Sequence, residues 1–82
     1  MTEQDVKNLI CEQFLEGDTG FPIEPDTNLL EEGICDSLGL VRLAASLEKR
    51  VPGLKLLDQD ITRDNLGSIA RIVQFMQRKN AV

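Results

Sequence analysis

The sequence predicts an all-α fold of three substantial helices, one short helix and a long first loop. Apolar residues recur at helical spacing in three stretches, around residues 6–14, 40–51 and 69–76. No segment alternates apolar and polar residues as a half-buried strand would. Gly17, Gly20, Pro22, Pro25 and Gly33 crowd into one interval and forbid a long regular element there.

The first helix is expected over residues 3–16. Thr2 with Asp5 three positions later makes a capping arrangement, Val6, Leu9, Ile10 and Phe14 supply the apolar face, and Gly17 ends it. In the following loop Phe21, Ile23, Leu29, Leu30 and Ile34 are spaced to pin the chain across helix ends, with a short helical turn expected near Asn28 to Glu32. The second helix should run from Ser37 to Arg50. Val51-Pro52-Gly53 stops it, because proline disfavours helix in the residue before it.

At about 100° per residue, Leu40, Leu43, Ala44, Leu47 and Val51 share one face of this helix and are assigned to the core. Leu38, Val41 and Ala45 form a second apolar strip roughly 130° away around the axis. Either another segment covers that strip or it docks a partner, and the pattern alone leaves both readings open. Leu54, Leu56 and Leu57 are expected to anchor the next connection. The polar stretch 58–66 has room for a turn or two of helix, capped by Thr62 or Asp58. Ser68 then caps a last helix with Ile69, Ile72, Val73 and Met76 on its core face, fraying after Gln77.

The junction at Asp36-Ser37 carries the chemistry. Asp36 is an N-cap candidate, because its carboxylate can accept from first-turn N–H groups that have no intrahelical partner. Ser37 then occupies the first helical position and is exposed. A phosphodiester on its hydroxyl would lie where the helix dipole and free N–H groups favour an anion. Taken by itself, an Asp-Ser pair is also an ordinary way to begin a helix.

Composition removes several alternatives. Eighty-two residues are read as one domain, 1–82, and hydrophobic residues at 41% with charged residues at 28% describe a globular protein. No apolar run approaches the roughly 20 residues that span a bilayer, and the start at Met1 lacks the basic character of a signal peptide, so a cytoplasmic location is expected. Cys11 and Cys35 are then reduced thiols, Cys11 a packing residue and Cys35 without an assigned role. With no histidine, neither a Ser-His-Asp arrangement nor a histidine-containing zinc site can be built, which argues against an autonomous enzyme and rules out a serine hydrolase of that kind.

The net charge of -5 is unevenly divided. Through Asp36 ten acids stand against Lys7 alone, a local charge of -9, whereas from Ser37 onward eight bases stand against four acids, +4. The acidic total and the lack of aromatic residues among the bases disfavour nucleic acid. Basic protein partners suit the acidic half.

Asp36-Ser37-Leu38, the ladder Val41-x-Leu43-x-x-x-Leu47-Glu48 and the late Ser68-Ile69 together resemble the acyl and peptidyl carrier protein family, over about residues 3 to 78. The resemblance implies a four-helix carrier-protein bundle whose Ser37 receives 4'-phosphopantetheine from coenzyme A through a separate phosphopantetheinyl transferase. The arm's thiol would hold an acyl or aminoacyl group as a thioester, delivered by a loading ligase and passed to downstream transferases or synthases. Asp36 would help place the magnesium-bearing transferase complex as well as cap the helix. Leu38, Val41 and Ala45 match family positions that face partner enzymes, and Arg42 flanks them.

Two features depart from the fatty-acid carriers. Gly39 stands where they commonly have an acid, and Arg42, Lys49 and Arg50 bring positive charge to a helix that they keep acidic. The run from Asp36 to Leu43 resembles stand-alone carriers that work with adenylating ligases or in natural-product pathways, including relatives of D-alanyl carriers, and a monomer is expected. The rival expectation is a small helical interaction module without a prosthetic group, in which Ser37 merely neighbours a cap.

Overall fold

Each helix begins where a short polar side chain satisfies the first-turn backbone. In the computed structural model, which describes residues 2–17 and 23–79, the elements are α1 (Glu3–Phe14), α2 (Ser37–Arg50), a 3-10 turn (Asp58–Asp60), α3 (Arg63–Leu66) and α4 (Ile69–Arg78). The described residues contain no strand, so the architecture is the all-helical bundle of three longer helices and one short one. Thr2 and Asp5 form a reciprocal capping box on α1, and Thr62 and Ser68 cap α3 and α4 through the N–H groups of Asn65 and Arg71. Of the two candidate caps for the short helix, Thr62 is the one used.

α1 ends at Phe14, two residues before the expected boundary. Leu15 and Gly17 both donate their N–H to the Cys11 carbonyl, and the chain turns through left-handed backbone at Glu16 and Gly17. Gly17 thus takes part in ending the helix, as expected, while the regular helical turn stops at Phe14. Phe21, expected to pin the loop, lies outside the described residues.

The core is one cluster fed by every helix and by the loop. Val6, Leu9, Ile10 and Cys11 from α1 meet Leu40, Leu43, Ala44 and Leu47 from α2, Leu66 from α3, and Ile69, Ile72, Phe75 and Met76 from α4. α4 packs on both α1 and α3. Ile23, Leu29, Ile34 and Cys35 reach the same cluster from the loop, which is how so long a connection is held without regular structure.

Several expected positions shift. Phe75, not assigned to the core from the sequence, is buried, while Val73 and Val51 are only half-buried. Leu54 and Leu56 pack against the core, but Leu57 points outward at 48% exposure and does not anchor the connection. There the backbone turns instead: Asp60 donates its N–H to the Leu57 carbonyl and accepts the Leu57 N–H on its carboxylate at 3.0 Å. α4 extends one residue past the expected fraying point, to Arg78.

Candidate functional site at the start of helix α2

The loop delivers the chain to α2 in a defined position. Asn28 accepts the N–H groups of Leu30 and Glu31 on its side chain, and Glu32 donates to the Asn28 carbonyl, so the turn expected at Asn28 to Glu32 forms as a single unextended turn. Gly33 follows at φ 72°, a left-handed conformation that favours glycine. The N–H groups of Ile34 and Cys35 both reach the Leu29 carbonyl, and the Leu29 N–H reaches Gly67 between α3 and α4. With Leu29, Ile34 and Cys35 buried, this segment is tied to the bundle immediately before Asp36.

Asp36 is extended and caps α2. Its Oδ1 accepts the Gly39 N–H at 2.7 Å, and its carbonyl accepts the Leu40 N–H. Ser37 is the first helical residue and is exposed, and among the described residues no partner takes its hydroxyl. Because Asp36 already fills the capping role, the serine is left free for other chemistry.

Gly39 explains part of this geometry. A Cβ at that position would stand 2.9 Å from the Cys35 Cβ, 3.1 Å from the Phe14 ring and 3.3 Å from the capping oxygen of Asp36. A side chain at position 39 would press first on the Cys35 Cβ and then on the Phe14 ring, so glycine suits the close packing at the start of α2. Composition and spacing gave no sign of that contact, which crosses from α1 to α2. Burial, with the Asp36 carboxylate adding to it, pushes the Cys35 thiol above its ordinary range. Cys35 is therefore an inert, protonated neighbour of Ser37.

The second strip on α2 is uncovered. Leu38 is 62% exposed and Val41 49%, and Ala45 and Arg42 are exposed beside them. The structure thus brings Asp36, Ser37, Leu38, Val41, Arg42 and Ala45 onto one end and one outer face of α2, while Leu40, Leu43, Ala44 and Leu47 occupy the inner face.

Two open grooves flank Ser37. The larger, about 560 Å³, includes Phe14, Asp36, Leu38 and Arg42 in its lining, and the smaller, about 390 Å³, includes Val41, Asp58, Ile61 and Thr62. Ser37, Leu30 and Arg63 line both. Arg63 was missed from the sequence, because no local pattern announces that the first residue of a four-residue helix returns to a serine 26 positions earlier.

A reachable hydroxyl at a capped helix start, with open grooves beside it, fits a large phosphate-linked group. No helix of the described residues is long and apolar enough to cross a membrane. No curated protein matches the chain. Residues 4–75, most of its length, match the family described as the phosphopantetheine attachment site, whose domains are generally non-catalytic and interact with a phosphopantetheinyl transferase and with partner enzymes. The chain belongs to this family of acyl and peptidyl carrier proteins, whose domain bears a covalently attached 4'-phosphopantetheine.

Proposed function

We propose that this protein carries its 4'-phosphopantetheine on Ser37 and shuttles acyl or aminoacyl thioesters between partner enzymes, with no catalysis of its own. The observation that carries this reading is the exposed, uncommitted Ser37 hydroxyl beside a separate capping residue. When bound, the group supplies a thiol on a flexible arm, and tethering keeps the cargo at high effective concentration for each partner. The chain's own part is to present the hydroxyl, to hold the start of α2 rigid through Asp36, and to offer a docking face. Having no histidine, it relies on a base of the transferase to take the serine proton.

Leu38, Val41, Arg42 and Ala45 form that docking face. Apolar exposure at one end of α2, bordered by a cation, suits repeated short-lived contacts with loading ligases and downstream transferases. Glycine at position 39 and the exposed Arg42, Lys49 and Arg50 favour a natural-product or ligase-dependent pathway over primary fatty-acid synthesis, because they weaken the steering of α2 toward a basic partner. Two free, buried thiols suit a reducing cytoplasm, and a monomer leaves the strip open to successive partners.

Coexpression with a broad-specificity transferase should add one phosphopantetheinyl unit, located on Ser37 by peptide mass analysis and abolished in Ser37→Ala. Protein that stays unmodified would overturn the assignment of Ser37 and favour the helical interaction module. For the docking face, Val41→Asp and Arg42→Glu should slow loading without changing the fold, and unchanged loading rates would remove those residues from it.

A further inference from the structure

The cations around Ser37 come from two different elements. Arg42 lies on α2 and lines the larger groove, whereas Arg63 opens α3 and lines both grooves that meet at Ser37. Both are exposed, and among the described residues neither is in an ion pair: the arginine pairs are Arg50 with Glu12 and Arg71 with Asp64. The acids lining the same two grooves are Asp36 and Asp58. Asp36 has one carboxylate oxygen on the Gly39 N–H, and Asp58 sits at the start of the 3-10 turn. Arg63 also lines a third hollow with Asp26 and Asp64, and Asp64 is the acid already paired with Arg71.

We infer that Arg63, assisted by Arg42, pairs with the phosphodiester of the arm on Ser37 and holds the base of the arm at the meeting point of the two grooves. The inference rests on the assignment of Ser37. A phosphodiester carries one negative charge at neutral pH, and guanidinium presents its donors in a planar fork that matches phosphate oxygens. Arg63 is a positioning residue here: it does no chemistry, but it limits the directions in which the arm leaves the protein. Its place on α3 makes the start of the arm report on the α2–α3 side of the bundle.

The test uses the full-length protein, loaded with the arm and isotopically labelled, beginning with an intact mass and a peptide map. Converting the apo to the holo form should shift the Arg63 side-chain Nε–H resonance. Raising the salt from about 0.01 M to about 1 M, which shortens the screening length from roughly 30 Å to roughly 3 Å, should reverse most of that shift. In holo Arg63→Gln the phosphorus resonance should narrow as the phosphodiester gains mobility. Arg63→Lys should restore part of the broadening, and Arg71→Gln should leave the resonance as in the parent.

An arm mapped to Ser37 with an unshifted Arg63 resonance, and a phosphorus line unaffected by Arg63→Gln, overturns this inference alone. Slower loading of Arg63→Gln with a freely moving phosphodiester in the parent would assign Arg63 to a partner's carboxylate, and overturns it too. If the mass and peptide map find no arm on Ser37, the assignment of Ser37 falls first and the inference with it.

Discussion

Two helix starts in this protein use serine in opposite ways. At α4 the serine is the cap: Ser68 is 4% exposed and its hydroxyl accepts the Arg71 N–H at 3.2 Å. At α2 the cap is Asp36, at a shorter 2.7 Å, and Ser37 stands one residue further in, exposed. Both starts look alike as sequence, a small polar residue before an apolar ladder. The difference is occupancy, because a hydroxyl that satisfies a backbone donor is committed to structure, and one relieved of that duty by its neighbour is available to an outside catalyst.

The largest effect that sharpens this comparison is all-or-none. Ser37→Ala should eliminate attachment of the arm while changing stability by no more than about 0.5 kcal/mol, as expected for a surface substitution, which pairs a mass measurement with a thermal melt. Next comes Gly39→Val. Extra atoms against Cys35, Phe14 and the Asp36 oxygen should cost about 1–3 kcal/mol in denaturant unfolding. The variant should also accept the arm more slowly, because the cap that frees Ser37 is displaced. A neutral outcome would mean that the start of α2 is softer than its contacts imply.

Ser68→Ala is the mirror experiment. Loss of the cap should cost about 1 kcal/mol, with the arm still added to completion. Destabilisation by Ser37→Ala together with indifference to Ser68→Ala would invert the comparison.

The far ends of the same two helices differ as well, with the smallest expected effect. Arg50 at the end of α2 pairs with Glu12 in the open, whereas Lys79 beyond α4 meets Asp60 at 2.9 Å with both side chains partly covered. The Lys79 hydrogen bond, then the Leu57 N–H, hold the Asp60 carboxyl below the usual carboxylate range. A depressed folded pKa means stability that is present above the unfolded value of about 4 and lost as pH falls through the folded one. Melts of Asp60→Asn should therefore be lower than the parent near pH 7, with the gap closing as pH drops below about 4. A gap independent of pH would show that Asp60 acts through its turn geometry and not through its charge.

Much of the fold was legible because capping and helical periodicity are local. Thr2 with Asp5, Asp36 before Ser37, Thr62 and Ser68 all act within three residues, and the inner face of α2 follows from spacing alone. Illegible were the contacts that join distant segments. Phe75 is in the core because α4 packs on both α1 and α3, and a helix wedged between two neighbours buries a wider arc than one apolar stripe suggests. Leu57 was misassigned for the converse reason, since a hydrophobic residue in a connection is buried only if a neighbour is there to cover it.

By itself the sequence determined the helical class and the beginning of α2 at Asp36-Ser37, because each depends on residue type and short-range spacing. Only the tertiary structure decided that the strip of Leu38, Val41 and Ala45 stays uncovered, that a Cβ at position 39 would crowd Cys35 and Phe14, and that Arg63 shares both grooves with Ser37. The reason is physical: exposure and approach are properties of pairs of elements, set by how the loop ties Leu29 to Gly67 and by how the helices pack, and no local pattern encodes them.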